Sequence, residues 1–465
     1  MDDVDRTMAV GTPTAGRAPL APPFDLLESE ASALLDRLAL VRPFALHETM
    51  VPAAALPSPA LLEVERFLAR GRRLLRRRVE RYLAWLRARA EATDPARAQR
   101  SFVLLRLEFN ALLSQFDLFA DVITQRSEHD TGVWLAGLDA AAADGLRAAA
   151  PLARAGRLPE VVCYLDRGPG AAIRRARTRL PGGPPNPVAI VRVPRERMVG
   201  TAIASSLMHE VGHQGAALLD LRASVGRDVT RRRSQAPPRD RPAWDLWQRW
   251  LGEAIPDFWA VASVGVCATL GLIQVVSLPR AFVFRLSPDA PHPVPWIRVL
   301  LSASFGARLY PHPQWRRLVR AWTALYPAAP DRPEFDRLLA TLPELVGLIA
   351  GHRSPALGER SLARSLPLRE RSPARLRGIA LRWRRDPRTA AHLSPSLAFA
   401  VVGQARADGL IGPGDESRLV RGLLERWALD RALGGDPVPP SAAGGRTGPS
   451  AGPAPRVRCS MKDRG

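Results

Sequence analysis

Residues 209–213 read His-Glu-Val-Gly-His, within the stretch SSLMHEVGHQGAALLDL. On a helix, side chains four residues apart share a face, so His209 and His213 can bring two imidazoles to one metal ion. Glu210 lies about 100° further round the helix and reaches the same region from the side. Two nitrogen donors at this spacing, with a carboxylate to act on a metal-activated water, are what a zinc site needs. No residue from Thr201 to Met208 is charged, so the helix carrying the motif is expected to be buried. Burying two imidazoles and a carboxylate together is costly unless something binds them. The motif therefore requires a chain that wraps a core round one helix, and Zn2+ is the expected cofactor.

The chain is large enough for this. It has 465 residues, room for two or three domains, and 46% of them are hydrophobic, which excludes wholesale disorder. The formal net charge is +22, from 67 basic and 45 acidic residues, and Lys462 is its single lysine. Such an arginine bias, together with many Ala, Pro and Gly, is what a GC-rich genome imposes, so the charge does not by itself indicate a nucleic-acid partner. Cys163, Cys267 and Cys459 share no metal-type spacing and are too few for a disulfide framework. The start, MDDVDRTMAV, is acidic without an apolar stretch, so no signal peptide is expected and the default location is cytoplasmic.

Along the chain, residues 1–22 are expected to form a flexible N-terminus and 23–155 an N-terminal helical domain. Ser58-Pro59 signals a helix start, and Leu61, Val64, Leu68, Leu75, Val79, Tyr82 and Leu86 recur on one helical face. Arg66, Arg70, Arg73, Arg77 and Arg81 form a second stripe, read as a solvated face, with a polyanion site as the alternative. Asp94-Pro95 opens another long helix. VVCYLD (161–166) and VAIVRV (188–193) read as strands, and a helix is expected from about Arg197 to Asp220. A polar loop is expected over 231–242, then a Trp-rich helix from Trp244. Trp244, Trp247 and Trp250 are read as packing rather than as a binding box. The metal-site domain is placed at 156–345, an Arg-rich helical region at 346–432 and a disordered tail at 433–465. The expected fold class is α+β and predominantly helical, with a small β-sheet and an active-site helix flanked by helical N- and C-terminal regions. From Phe258 to Pro279 no side chain is charged, a length that suffices to span a membrane. Its frequent small residues and Gln274 favour a buried helix, with membrane association as the alternative reading.

Two imidazoles leave a zinc site one protein ligand short. A third histidine in the same motif is absent, since Ala216 and Leu219 occupy the required positions. Downstream, Glu253 and Asp257 stand four apart, so Glu253 can supply the third donor while Asp257 accepts the second imidazole N–H of a ligand histidine. Pro256 between them removes a helical hydrogen bond and is expected to kink the helix.

The pattern HExxH followed by ExxxD resembles that of the gluzincin metallopeptidases. Pro291-His292-Pro293-Val294-Pro295-Trp296-Ile297-Arg298 is similar to the HP…R segment of the CAAX prenyl endopeptidase-like group of gluzincins, and the likeness spans about 187–300. The multiple membrane spans of the prenyl endopeptidases are missing. The resemblance implies a zincin-like catalytic core, a peptide or protein substrate, zinc on His209, His213 and Glu253, and Glu210 as general base. It also implies that His292 or Arg298 lies near the substrate or braces the site. A tetrahedral oxyanion needs a donor besides the metal, for which His292, Arg298 and Tyr310 are the candidates. VAIVRV is read either as an edge strand that pairs with an extended peptide or as an interior strand.

Overall fold

The computed structural model describes residues 22–434, apart from 90–93, 155–157, 169, 179–184, 199, 288 and 329–331. The flexible N-terminus expected over 1–22 and the tail expected over 433–465 lie outside the described residues, save Pro22, Leu433 and Gly434.

Four helices open the chain: α1 (Pro22–Ala39), α2 (Phe44–His47), α3 (Ser58–Arg89) and α4 (Pro95–Thr124). Asp94 caps α4 by accepting from the Ala96 N–H at 3.2 Å, as its position before Pro95 predicts. The apolar face of α3, with Val64, Leu68, Leu75 and Val79 buried, packs on α1 and α4 and leaves the arginine stripe in solvent. Next come α5 (His129–Arg147), α6 (Ala150–Ala153), β1 (Val161–Asp166), β2 (Ala172–Arg174) and β3 (Ala189–Pro194). The strands form one sheet in the order β1-β3-β2, with β1 parallel and β2 antiparallel to β3. VAIVRV is therefore the interior strand. Because side chains alternate across a strand, Val162 and Ile190 face the N-terminal helices, while Cys163 and Val191 face a second, larger core.

The second core is built round α7 (Ala202–Leu218), the helix bearing His209 and His213, which starts five residues later than expected. After it come α8 (Leu221–Gln235), α9 (Arg241–Val264), α10 (Val266–Val276), α11 (Arg280–Val283) and α12 (Pro295–Leu309). The chain continues with α13 (Pro313–Leu325), α14 (Pro333–Gly351), α15 (Pro373–Arg385), α16 (Pro395–Ala407) and α17 (Pro413–Ala432). The protein is thus predominantly helical with one small sheet. The sequence grouping puts α5 with the N-terminal helices, but its buried residues belong to the second core, where it packs against α7 and α17.

Two expectations are corrected by local geometry. Much of the loop expected over 231–242 is helical, because α8 runs to Gln235 and α9 begins at Arg241. Arginines that carry no apolar periodicity are held there by carboxylates: Arg231 by Asp228, Arg232 by Glu344 and Arg233 by Asp245. The uncharged run from 258 is broken at Gly265, whose φ of 59° ends α9 and turns the chain into α10. Among the described residues no helix is long and apolar enough to cross a membrane.

The helix α7 is seated by close backbone approach. A Cβ on Gly212 would meet the Pro256 Cα at 2.9 Å, and one on Gly215 would meet the Trp259 ring at 2.7 Å. The glycine within the HEVGH motif is therefore what lets α9 lie against α7. Trp244, Trp247, Trp250 and Trp259 are fully buried behind this contact, so the tryptophans are packing.

Candidate metal centre

Although Pro256 lies inside α9, Glu253 and Asp257 keep a common face and both reach the α7 histidines. The His209 and His213 rings stand edge to face, with centroids 4.8 Å apart. Their Nε2 atoms are 3.2 Å apart, and Glu253 places Oε2 3.3 Å from His209 Nε2 and Oε1 3.7 Å from His213 Nε2. Donors at about 2.0–2.1 Å in a tetrahedron are separated by about 3.3 Å, so the three side chains stand close enough to hold a metal ion after small adjustments, with Arg298 Nη2 also 3.4 Å from His209 Nε2. Among the described residues this is the group of three or more His, Cys, Asp or Glu close enough to hold a metal.

Asp257 lies beneath His209, with Oδ1 2.8 Å from Nδ1, which turns Nε2 toward Glu253 and His213. Arg298, at the start of α12, grips Asp257 through two hydrogen bonds, Nε to Oδ2 at 2.7 Å and Nη2 to Oδ1 at 2.9 Å. Its Nη2 also donates to Glu253 Oε2 at 3.3 Å. This fork neutralises two carboxylates that burial would otherwise push toward protonation. Burial raises the Glu253 carboxyl, but hydrogen bonding and charge from His209, then Arg298, outweigh it and hold it at about 2. Asp257 is likewise held well below the usual carboxylate range, burial being outweighed by Arg298 and His209.

The two histidines differ. Burial, then the neighbouring His209, lowers the His213 ring to about 4, so it is neutral and free to donate. Burial also disfavours the charged His209 ring, but the Asp257 carboxylate and hydrogen bonds to Asp257 and Glu253 prevail and raise it to about 9. Without a metal, His209 thus carries a proton that a cation must displace. Glu210 is buried at 6% exposure and its carboxyl is raised, chiefly by burial.

A cleft of about 1270 Å³ opens over these groups. His209, Glu210, His213, Glu253, His292 and Arg298 all line it. His292 sits at the mouth with a 60% exposed side chain and Nε2 3.6 Å from Glu253 Oε2. Tyr310 is elsewhere: its hydroxyl donates to the Ala262 carbonyl at 2.7 Å inside the core, so it is withdrawn as an oxyanion donor. Arg298 braces Asp257 and Glu253, which leaves His292 as the candidate donor nearest the mouth. β2, too short to be read from the sequence, lines the cleft with its outer edge through Ala172 and Ile173. A second histidine group, His352 between Asp228 (2.6 Å) and Ser224 (3.0 Å), is a strut from α8 to the end of α14, since the Ser224 hydroxyl donates to the Asp220 carbonyl.

Compared with known proteins, the chain matches no family model, no curated protein and no solved structure.

Proposed function

We propose that this chain is a zinc-dependent metallopeptidase of gluzincin type, with His209, His213 and Glu253 as metal ligands. The observation that carries the reading is the trio of side chains close enough to hold one metal ion in the lining of a cleft that the buried Glu210 carboxylate also lines. Bound there, Zn2+ would acidify a water and polarise a peptide carbonyl. The work of the chain itself follows from its geometry. Asp257 accepts from His209 Nδ1 and so keeps Nε2 as the donating atom. Arg298 keeps Asp257 and Glu253 ionised and favours the neutral His209 ring. Glu210, with its raised carboxyl, takes a proton from the attacking water on a carboxylate oxygen and gives it to the leaving amine. His292 is near enough to the mouth to donate to an oxyanion. The open edge of β2 offers backbone groups to an extended substrate.

The test is metal content by mass spectrometry, with peptide hydrolysis assayed alongside. Wild type is expected to hold about one zinc per chain and Glu253→Ala to lose most of it. Glu210→Gln is expected to keep the zinc and the fold while abolishing hydrolysis. No zinc in the supplied wild type, or full activity in Glu210→Gln, would overturn the proposal.

A further inference from the structure

The cleft changes character along its length. It follows α7 from Ser205 through His209 and His213 to Asp220, a run of about 22 Å. At the Ser205 end the wall is α10: Ser205 Oγ donates to the Ala268 carbonyl at 2.8 Å, and Ala268, Leu272, Val275 and Val276 line the cleft. At the Asp220 end the lining is basic. Arg175 directly precedes Ala176, whose N–H donates to Gln214 Oε1 at 2.9 Å, so Arg175 stands over the second half of α7. Asp220, in a left-handed conformation with φ 48°, reverses the chain into α8. That turn carries Arg222 across α9, where its Cζ lies 3.8 Å from the place a Gly252 Cβ would occupy. Arg249 lines the cleft as well.

In a chain with 67 basic residues, arginines by themselves say little. Their place is what counts. Of the α8 arginines outside the cleft lining, Arg231, Arg232 and Arg233 are each paired with a carboxylate, and Arg227 is exposed without one among the described residues. Arg175 and Arg222 line the cleft, are exposed, and have no carboxylate within ion-pair distance among the described residues. Asp220 supplies the sole carboxylate at this end of the lining, while Glu210, Glu253 and Asp257 belong to the metal end. Positive charge left uncompensated inside a cleft attracts anionic ligands.

The sheet sets the direction of an extended ligand. β3 leads into the start of α7, and β2 runs against it, with Ala172 opposite Arg192 and Arg174 opposite Ile190. β2 therefore points from the Ser205 end toward the Asp220 end. A peptide pairing antiparallel with β2 runs the other way and lays its N-terminal residues over Arg175 and Arg222. From His213 to Asp220 is about 10 Å of helix, and Arg222 reaches back from there to Gly252, so a side chain held at this end lies within about three residues of extended chain from the ligand histidines.

We propose that the cleft selects acidic peptides, with carboxylate side chains within about three residues N-terminal to the scissile bond held by Arg175 and Arg222. The proposal rests on the metallopeptidase reading for the position of that bond. It is tested with two fluorescein-labelled peptides, one bearing three glutamates before a central Gly-Leu pair and one bearing three lysines there. Binding is read by fluorescence anisotropy on the zinc-supplied full-length Glu210→Gln chain, and turnover on wild type. The glutamate peptide is expected to bind on the order of tenfold more tightly at low salt, with the difference shrinking as salt rises. Adding Arg175→Glu and Arg222→Glu, with an unchanged circular dichroism spectrum, is expected to reverse the order. Equal binding of the two peptides, or an order that survives the charge reversal, would overturn the proposal. If wild type cleaves both peptides equally, the hydrolase reading stands and this one fails. Selective binding with neither peptide cleaved upholds the recognition and sinks the hydrolase reading.

Discussion

At the scale of single residues, the proton on His209 has a measurable consequence. Its folded-state pKa of about 9 lies above the ordinary histidine value, so the ring is protonated at neutral pH in the metal-free chain. A metal ligand must be neutral, so zinc and the proton compete for Nε2. Apparent zinc affinity is therefore expected to climb by about tenfold per pH unit below about pH 7, where a zinc-bound water still holds its proton. At pH 6, below the range in which a zinc-bound water gives up its own proton, titration in buffers of different ionisation enthalpy should register close to one proton released per zinc. His213, held at about 4, should contribute none, and release of two protons would refute this assignment. Much of the site at this scale was legible, because HExxH and ExxxD act through helical spacing alone. His292 and Arg298 needed the resemblance, since they approach α7 from a different helix and its preceding loop. Tyr310 misled because a tyrosine shows the same letter whether its hydroxyl faces a cleft or, as here, the Ala262 carbonyl.

Between elements, the contact of α7 with α9 decides whether the ligands meet. Replacing a mid-helix glycine by alanine ordinarily gains about 1 kcal/mol from helix propensity. At Gly215 the new methyl would stand 2.7 Å from the buried Trp259 ring, and overpacking of this kind costs about 1–3 kcal/mol. Gly215→Ala is expected to lower the thermal midpoint and weaken zinc binding together, because α9 must move away and carry Glu253 with it. A rise in the midpoint would show that propensity wins. Elements stand out in a sequence when their apolar residues are periodic, as in α3 and α4, or form β-branched runs, as in β1 and β3. α8 shows such a pattern only in its first part, where Leu221, Val225 and Val229 are buried at four-residue spacing; beyond them its arginines pair with partners as distant in sequence as Glu344, and Arg232 stacks over Trp244. β2 has three residues and lies at the sheet edge, with too little apolar surface to announce itself.

Across the whole molecule, the N-terminal helices join the second core through a buried ionic knot. Arg126, fully buried just beyond α4, donates to Asp139 of α5 at 2.9 and 3.3 Å and to the Cys163 carbonyl of β1 at 2.5 Å. Asp139 also accepts from the Cys163 N–H at 2.7 Å and from Arg431 of α17 at 3.4 Å. Removing one partner of a buried pair leaves an uncompensated charge, at a cost of about 3–5 kcal/mol. Asp139→Ala is expected to lose stability on that scale in urea denaturation, and a loss below about 1 kcal/mol would mean that Arg126 finds another partner. No local pattern reveals this knot, because its members are spread from 126 to 431 and each reads alone as a surface charge.

The same side chains close one border of the sheet. On β1, Asp139 and Arg126 take up the Cys163 backbone groups, and the Gln125 amide pairs with both the N–H and the carbonyl of Leu165 at 2.8 Å. Among the described residues, the edge left for another strand is that of β2, which lines the cleft. Self-association by strand addition, the usual route from a folded β-edge to aggregates, would thus block the cleft. For this protein, strand addition and occupation of the cleft exclude one another, so an extended peptide that fills the cleft should suppress turbidity on storage.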